Sequence, residues 1–447
     1  MINSQPNIVS PASFTMEHIV FSPDLTIADN VVLENLSGEI EIGLLGANLE
    51  SIKARRDSRD ISALQSFNDP KSQFFDPTVL STYDLRHLRH TLPVIVGKNV
   101  VAPYIASARR IVRHETDVVM ATHLILYFST SVPSAIWLFY NFTYLHGVLH
   151  FLMQAWYTGS YTLMRHQHIH QNGVLTKDSS LVRLFDMYFP YVTDPLMGHT
   201  WNSYYYHHVK HHHVEGNGPD DLSSTLRYQR DDLFHFLHYL GRFFFFVWLD
   251  LPLYFFRKGQ TVNGARILFW ELFNYFSLFI LYQLHSKATT FVFLLPLLLM
   301  RLGLMVGNWG QHAFVDPDEP DSDFRSSITL IDVASNRYCF NDGYHTSHHL
   351  NPRRHWREHP IAFLQQKRKY AEEKALVFHN IDYLMITVKL LQKDYDHLAR
   401  CLVPIGQEQI KLSMKDRAEM LRGLTRRFTE EEIREKFPRA GQKQKEL

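Results

Sequence analysis

One long stretch of the chain carries no charged side chain. Between Val118 and Met164 the sequence contains no Asp, Glu, Lys or Arg. A helix needs about 20 predominantly apolar residues to cross the hydrocarbon core of a bilayer, so this stretch is long enough for two crossings. Pro133, in the motif TSVPSA, marks the predicted turn between them. The stretch therefore predicts a helical hairpin that spans a membrane.

A second apolar region covers residues 267–307 and is interrupted by LHSKATT at 284–290. This break predicts a second hairpin, with crossings near 267–285 and 288–307. Arg301 lies inside the last crossing, where its guanidinium must face protein or reach toward the interface. The region thus adds two predicted crossings to the first two.

Residues 234–256 are rich in Phe and Trp but are interrupted by Arg242, Asp250 and Pro252. An aromatic helix with such interruptions suits a position in the plane of the membrane interface. The alternative is an ordinary buried helix. A third crossing fits this segment less well.

Basic residues flank the predicted crossings on one side, which favours a cytosolic location for both termini and for the chain between the hairpins. These residues are Arg109, Arg110, Arg113, Arg165, Lys177, Arg183, Arg257, Lys258 and Arg266, whereas Lys287 alone lies in an opposite loop. The predicted fold is an all-α membrane protein with four transmembrane helices in two hairpins plus interfacial helices, capped by a cytosolic histidine-rich domain.

The ends of the chain have a different composition. Residues 1–110 have soluble character and no assignable role, with LENLSGEIEIGLL at 33–45 suggesting strand and turn, and KARRDSRD at 53–60 a solvated charge run. Residues 361–447 are predicted to form a helical, charged cytosolic tail ending in RAGQKQKEL. The N-terminus shows no signal-peptide pattern.

Composition excludes several classes of function. Lys and Arg total 46 against 45 for Asp and Glu, so no basic excess indicates nucleic-acid binding. The two cysteines, Cys339 and Cys401, are too few for a disulfide framework or a cysteine-rich zinc site. Histidine is the unusual residue, because the chain contains 27.

Four clusters contain the histidines with ligand-like spacing. Residues three or four apart on a helix share a face, so imidazoles at this spacing can converge on a cation. The predicted topology puts all four clusters at the cytosolic membrane face, where they can meet; a spanning 234–256 segment would separate them. The clusters are His166 and His170; His207, His208, His211, His212 and His213; Asn308 and His312; and His345, His348 and His349.

The ligand types indicate the metal. So many imidazoles without thiolates exceed the four ligands of a single zinc ion. Imidazole also suits iron. Two iron ions with four or five imidazoles each use the set economically and leave positions open for O₂. The clusters therefore predict a diiron site at a membrane surface.

These clusters resemble the histidine boxes of the integral-membrane fatty acid desaturase superfamily, which includes hydroxylases. The matching motifs are HQHIH at 166–170, HHVKHHH at 207–213 and HTSHH at 345–349, while NWGQH at 308–312 resembles an element whose Asn holds a metal through water. The resemblance covers roughly residues 115–360. The metal site that it implies comprises His166, His170, His208, His211, His212, His213, His312, His345, His348, His349 and Asn308.

Two assignments stay open. The first box could instead be HGVLH, with His146 and His150, although these residues lie far up the helix from His166 and read more simply as polar residues inside the bundle. In the second box His208 and His212 belong to both possible patterns, and either His211 or His213 completes the set.

Other polar residues beside the boxes receive secondary roles. His207, Glu215, Asp316 and Asp342 are candidates to orient ligand imidazoles, with surface solvation as the alternative for the carboxylates. On a helix, His168 points away from His166 and His170, the other histidines of the first box. The remaining histidines are interpreted as structural or surface residues, among them His199, His235, His238, His285 and His355.

The resemblance implies an O₂-dependent oxidoreductase that desaturates a fatty acyl chain, with no catalytic residues beyond the metal ligands. A hydroxylase on the same fold is the near alternative; a non-catalytic haem or metal-binding membrane protein is a weaker one. The chain lacks HPGG-like haem and GxGxxG nucleotide motifs, so electrons from NAD(P)H must arrive through a separate b-type cytochrome or ferredoxin. The implied substrate is a fatty acyl lipid or acyl-CoA, and the implied location is the endoplasmic reticulum.

Overall fold

The computed structural model describes residues 19, 21–44, 50–331 and 333–437, and it is mostly helical. Two small sheets are present: β1 (Thr78–Leu80) pairs antiparallel with β2 (Tyr83–Asp84), and β3 (Ile328–Ile331) pairs parallel with β4 (Leu376–His379). The predicted solvated end RAGQKQKEL and the N-terminal decapeptide lie outside the described residues.

Within the described residues, ten helices lie between Ile27 and Gln311. In chain order they are α1 (Ile27–Leu44), α2 (Glu50–Asn68), α3 (Leu85–Thr91), α4 (Val94–Ala108), α5 (Val118–Tyr140), α6 (Tyr144–Gln171), α7 (Ser180–Leu196), α8 (203–215), α9 (Leu233–Arg257) and α10 (Thr261–Gln311).

Shorter helices follow. They are α11 (Asp323–Ser326), α12 (Ala334–Tyr338), α13 (His345–Leu350), α14 (His359–Glu372), α15 (Tyr383–Leu391), α16 (Tyr395–Cys401), α17 (Gly406–Ile410), α18 (Met414–Gly423) and α19 (Glu430–Lys436), with a 3₁₀ turn at Trp356–Glu358.

Among the described residues, three helices are long and apolar enough to cross a membrane, namely α5, α9 and α10. α10 has 51 residues, which at about 1.5 Å per residue is about two and a half times the thickness of a bilayer core. It bends at His285, whose φ of −154° and ψ of 85° are not helical. This kink confirms the break predicted at LHSKATT. α6 forms a 28-residue helix as expected but is not among the three candidates, so the predicted count of four crossings is not confirmed.

The turn of the first hairpin lies further along the chain than Pro133. Pro133 is inside α5, just after a π-helical turn at Tyr127–Ser131, and the helix ends at Tyr140. The prediction of a turn at Pro133 is therefore wrong. A proline inside a helix removes one backbone hydrogen bond, and Pro133 does so next to a π turn, where the regular α-helical bonding is already interrupted.

Arg301 faces protein rather than lipid. It is 6% exposed, and its Nη1 donates to the carbonyl of Phe244 at 3.0 Å while its Nη2 donates to the Tyr275 hydroxyl at 2.8 Å. Glu271 on the same α10 lies 3.8 Å from the guanidinium. Of the two predicted positions for the guanidinium, facing protein or reaching toward the interface, the structure shows the first, with the charge paired inside the bundle.

The N-terminal region differs from its prediction. Residues 27–44 are helical, so the strand and turn expected from LENLSGEIEIGLL are wrong. Leu33 and Leu36 are buried on one side of α1 in a cluster that includes Phe363 of α14, and this packing outweighs local sequence preference. The charge run in α2 is also only partly solvated. Its last residue, Asp60, is buried and accepts a hydrogen bond from Asn35 Nδ2 at 2.8 Å.

The C-terminal region is helical and charged, but its described part packs into the core. β4 pairs with β3, and Leu390, Leu398 and Leu421 are buried in a cluster with Trp309 at the end of α10. The segments that follow the boxes thereby hold the end of α10 in place. The division of the chain at residues 110 and 361 stays a prediction.

Candidate metal centre

Nine histidines converge in two adjacent groups. The ligand atoms of each group all lie within 4.8 Å of one another. The five-histidine group consists of His166, His170, His208, His213 and His348, and the four-histidine group consists of His212, His312, His345 and His349. The rings of His213 and His349, one from each group, have centroids 5.2 Å apart, so the groups are neighbours.

Helix ends position these side chains. His166 and His170 occupy the last turns of α6, and their ring centroids are 4.8 Å apart. His312 follows the end of α10. The short helix α13 supplies His348 to the five-histidine group and His345 and His349 to the four-histidine group. His345 and His349 lie one turn apart, and their ring centroids are 4.5 Å apart.

The second box departs from α-helical geometry. Residues His208–His212 form a π-helical turn within α8. A π turn closes i→i+5 hydrogen bonds, so residues five apart come onto one face. The Nε2 atoms of His208 and His213 are accordingly 3.1 Å apart, while His212 enters the four-histidine group.

His211 lies outside both groups. Its ring packs against Tyr254 at 4.4 Å, and its Nε2 accepts from the Leu222 N–H at 3.2 Å. Of the two patterns left open by the sequence, the structure therefore brings together His208, His212 and His213. The α-helical spacing that favoured His211 does not apply within a π turn.

The ring nitrogens face one another in a manner that fits bound cations. Nε2 of His348 lies 3.0 Å from that of His166 and 2.8 Å from that of His213, and Nε2 of His345 lies 3.3 Å from that of His312. Burial, reinforced by neighbouring imidazoles, holds the pKa well below the usual value for His213, His312, His345 and His348. Neutral imidazoles with converging lone pairs are the donor set that a soft-to-borderline metal ion requires.

Acceptors outside the four-histidine group hold three of its rings. Nδ1 of His212 is 2.7 Å from Asp221, Nδ1 of His312 is 2.7 Å from the carbonyl of Ser326, and Nδ1 of His349 is 3.5 Å from Asp323. Asp221 and Asp323 were not predicted. Asp221 follows His212 by nine residues across a turn, a separation that helical spacing does not detect.

The predicted orienting residues have different positions. Asp342 lies 3.9 Å from Nδ1 of His166, and burial raises the pKa of its carboxyl to about 7. Glu215 accepts from the Tyr254 hydroxyl at 2.6 Å, and Asp316 accepts from the backbone of Asp318 at 2.7 Å. Of these carboxylates, only Asp342 approaches a histidine of either group.

Two further predicted residues border the site. The ring of His207 packs beside those of His211 and Phe243. Asn308 lies one turn before His312, and its Nδ2 donates to the Tyr239 hydroxyl at 2.7 Å and to the carbonyl of Ser223 at 2.8 Å. Asn308 is thus held beside the groups by hydrogen bonds.

The histidines set aside from the sequence have other partners. His146 and His150 both hydrogen-bond to Ser134 Oγ, at 2.8 and 2.9 Å, inside the helical bundle. Nε2 of His355 is 2.7 Å from Asp117, and Nε2 of His199 is 3.0 Å from Thr162. None of these four belongs to the two groups of converging histidines found among the described residues.

Comparison with known proteins gives one match. A family model described as fatty acid desaturase matches residues 136–380, which is more than half of the chain and includes all nine converging histidines. No curated protein and no solved structure matches.

Proposed function

Because the chain belongs to the fatty acid desaturase family, we propose that it is a membrane-bound, O₂-dependent diiron desaturase that introduces a double bond into a fatty acyl chain. The family generally comprises oxidoreductases that desaturate or hydroxylate such chains. The observation that carries the proposal is the pair of adjacent groups, with five and four converging imidazoles. Such a set can hold two iron ions and leave positions for O₂.

In this proposal each histidine group holds one iron, and the bound pair supplies the O₂ chemistry needed to attack an unactivated C–H bond. The protein's contribution is to hold and shield. Asp221 fixes the ring of His212, while His345 and His348 are 2% and 3% exposed and keep bulk water from the site. Their low pKa values keep the imidazoles available as ligands, so they are not the acids or bases of the reaction.

We propose four membrane crossings, formed by α5, α6 and the two limbs of α10, with α9 in the interface. α9 touches the site at two distant points, since Tyr239 binds Asn308 and Tyr254 binds Glu215. A helix that lies along the site in this way is better suited to the membrane interface than to crossing the bilayer. At the end of the bundle away from the histidines, Lys287 lies over the ring of Tyr144 at 5.2 Å. This contact joins the turn between α5 and α6 to the bend of α10, which supports placing both turns on one side of the membrane. The histidine side, with both termini, is then cytosolic.

The proposed substrate is a fatty acyl lipid or acyl-CoA, and the proposed location is the endoplasmic reticulum. Electrons from NAD(P)H are proposed to arrive through a cytochrome b5-like protein or a ferredoxin. Lys210 and Arg353 are exposed beside the second and third boxes, where they suit an acidic donor surface.

Metal counting tests the proposal directly. The full chain is purified in detergent, and iron is measured in the unchanged protein and in the variant H345A/H348A/H349A. We expect about two irons per chain and a loss of iron in the variant. His238→Ala is the matched control, because His238 contacts Tyr228 and lies outside both groups. Zinc, haem or no stoichiometric metal in folded protein contradicts the proposal.

Lipid analysis then separates the two reactions of the family. Host cells expressing the active chain are compared with cells expressing the triple-histidine variant. A fatty acid that has lost two hydrogens supports desaturation. A product that has gained one oxygen assigns the chain to the hydroxylases instead.

A further inference from the structure

A continuous row of aromatic rings leads away from the five-histidine group. The ring of Tyr204 is stacked on His208 with centroids 5.2 Å apart, and His199 lies 5.3 Å from Tyr204. Tyr161 follows at 5.7 Å from His199, and Tyr127 at 5.5 Å from Tyr161. Each ring contacts the next, so the row joins a histidine of the metal centre to the interior of the bundle.

The row continues to the protein surface. The hydroxyl of Tyr127 is 3.0 Å from Ser160 Oγ, which is 3.1 Å from the hydroxyl of Tyr338. The ring of Tyr338 lies 5.4 Å from Trp156, whose side chain is 67% exposed. The outer end is thus a tryptophan on the outer face of α6, which the proposed topology places against lipid. Tryptophan can be oxidised by one electron without first losing a proton.

Tyr161, in the middle of the row, has a proton acceptor in place. Its hydroxyl donates to Asp194 Oδ1 at 2.5 Å, and Asp194 is paired with Arg165, whose Nε lies 2.9 Å from the same oxygen. A phenol that loses an electron becomes a strong acid, so a neighbouring carboxylate makes its oxidation easier. Asp194 is 4% exposed and therefore accepts this proton away from water.

We propose that these residues form a radical-transfer path that drains oxidising equivalents from the metal centre when O₂ is reduced without substrate. The inference rests on the proposed diiron function. It adds a protective activity, because oxidising equivalents that find no acyl chain would otherwise attack the histidine ligands.

The electrons and protons balance as follows. One electron leaves Tyr161 through His199 and Tyr204 toward His208, and the phenolic proton moves to Asp194. An electron from Tyr127, supplied in turn through Tyr338 and Trp156, restores Tyr161, which takes the proton back. Over two such transfers, one lipid-soluble quinol in the membrane gives two electrons and two protons and becomes a quinone. With two electrons from the usual donor and two protons from water, O₂ leaves as two waters.

Ordinary packing also brings aromatic rings together. Two features separate this row from a packed core. It begins at a histidine of the metal centre and ends at an exposed tryptophan, and a buried carboxylate accepts the hydroxyl proton of Tyr161. A merely structural cluster needs neither feature.

Radical detection tests the path. The iron-loaded full chain is reduced in detergent without lipid, mixed with O₂ and frozen for electron paramagnetic resonance. We expect an organic radical signal that narrows when the protein carries ring-deuterated tyrosine. Tyr161→Phe should reduce this signal to background, whereas Tyr370→Phe, a buried tyrosine of α14 away from the row, should leave it unchanged.

Mass spectrometry supplies a second readout. After repeated exposure to O₂, oxidation of peptides that contain His208 and Tyr204 should be severalfold greater in Tyr161→Phe than in the unchanged chain or in Tyr370→Phe. Iron-loaded protein that consumes O₂ with no tyrosine signal and equal peptide oxidation in all three overturns the path. Failure to bind iron contradicts the proposed function instead, so the two failures are distinguishable.

Discussion

The four-histidine group and the five-histidine group are neighbours, yet different contacts hold their rings. In the four-histidine group, Asp221 and Asp323 face Nδ1 of two histidines and the Ser326 carbonyl faces a third. In the five-histidine group the closest contacts of His208, His213 and His348 are with other rings of the group.

Under the proposed diiron function, this difference gives the two groups different sources of metal affinity. An acceptor at Nδ1 fixes the tautomer and leaves Nε2 free to bind a metal, so few ligands suffice. The five-histidine group has one carboxylate near it, Asp342 at 3.9 Å from His166, and relies on an additional imidazole. In the proposed site, ring orientation thus contributes most to the metal affinity of the four-histidine group, and the number of ligands contributes most to that of the five-histidine group.

Removal of one ligand from each group is the strongest test of this contrast. His312→Ala leaves three imidazoles in its group, whereas His213→Ala leaves four in the other. We expect His312→Ala to lose about one of two irons, because a site with three ligands falls below the number in most stable protein sites. His213→Ala should keep more than half of its group's iron. Metal analysis after dialysis measures both.

His211→Ala is the control for this pair, since His211 adjoins the second box but lies outside both groups. It should retain about two irons per chain, as the proposed site implies. Equal loss of iron in His312→Ala and His213→Ala would remove the distinction between the groups. Loss of iron in His211→Ala would instead assign His211 to the metal site.

Through uncharged length, which is a local property, sequence reasoning found two of the three candidate membrane helices among the described residues, α5 and α10. It recovered the break near His285 and the inward-facing charge of Arg301. It misjudged residues 33–44 and Pro133, because the structure of the first depends on distant packing and that of the second on a π turn that no residue preference specifies. Elements determined by composition were predictable, and elements determined by tertiary contacts were not.

The same limit applies to the metal centre. Helical spacing brought all nine converging histidines into the candidate set. It did not separate His211 from His213, because the π turn changes which residues share a face. It also missed Asp221, which approaches His212 through a loop. Ligand types follow from the sequence, while ligand orientation needs the folded backbone.

Substitution of the buried acceptor should give the next largest effect. Asp221→Asn keeps the size of the side chain but removes the charge that faces Nδ1 of His212. Loss of such a partner typically costs about 10–100-fold in metal affinity. Competition with a chelator, monitored by iron content, should show this loss for one iron of the two. Weakening of both irons equally would show that Asp221 supports the whole centre.

Asp342→Asn tests the carboxylate of the five-histidine group and should have a smaller effect. Burial raises the pKa of Asp342 from the usual 3.8 to about 7, so near neutral pH a large share of this carboxyl is already uncharged. The asparagine resembles that uncharged form. Iron affinity of variant and unchanged chain should agree below the raised pKa and separate above it, where the unchanged chain gains a carboxylate facing His166.

Stability of the metal-free protein gives an independent check of the same residue. A carboxyl with a raised pKa favours folding at low pH, and this contribution is lost as pH rises from 3.8 to about 7. Asp342→Asn should therefore remove part of the fall in unfolding temperature over that range. An unchanged pH profile in the variant would contradict the raised pKa.

The smallest effect is expected at Asp323. This carboxylate also faces a histidine of the four-histidine group, but it lies 3.5 Å from Nδ1 of His349 and its side chain is 41% exposed. Water screens such a contact and can replace the lost acceptor, so Asp323→Asn should weaken iron binding by only about twofold to fivefold, as expected for a pair worth up to about 1 kcal/mol. Asp321→Asn, at an exposed position two residues before Asp323, is the control. If Asp323→Asn matched Asp221→Asn in the chelator competition, burial would not be what makes an acceptor effective, and the contrast between the groups would reduce to the presence of any carboxylate near the ring.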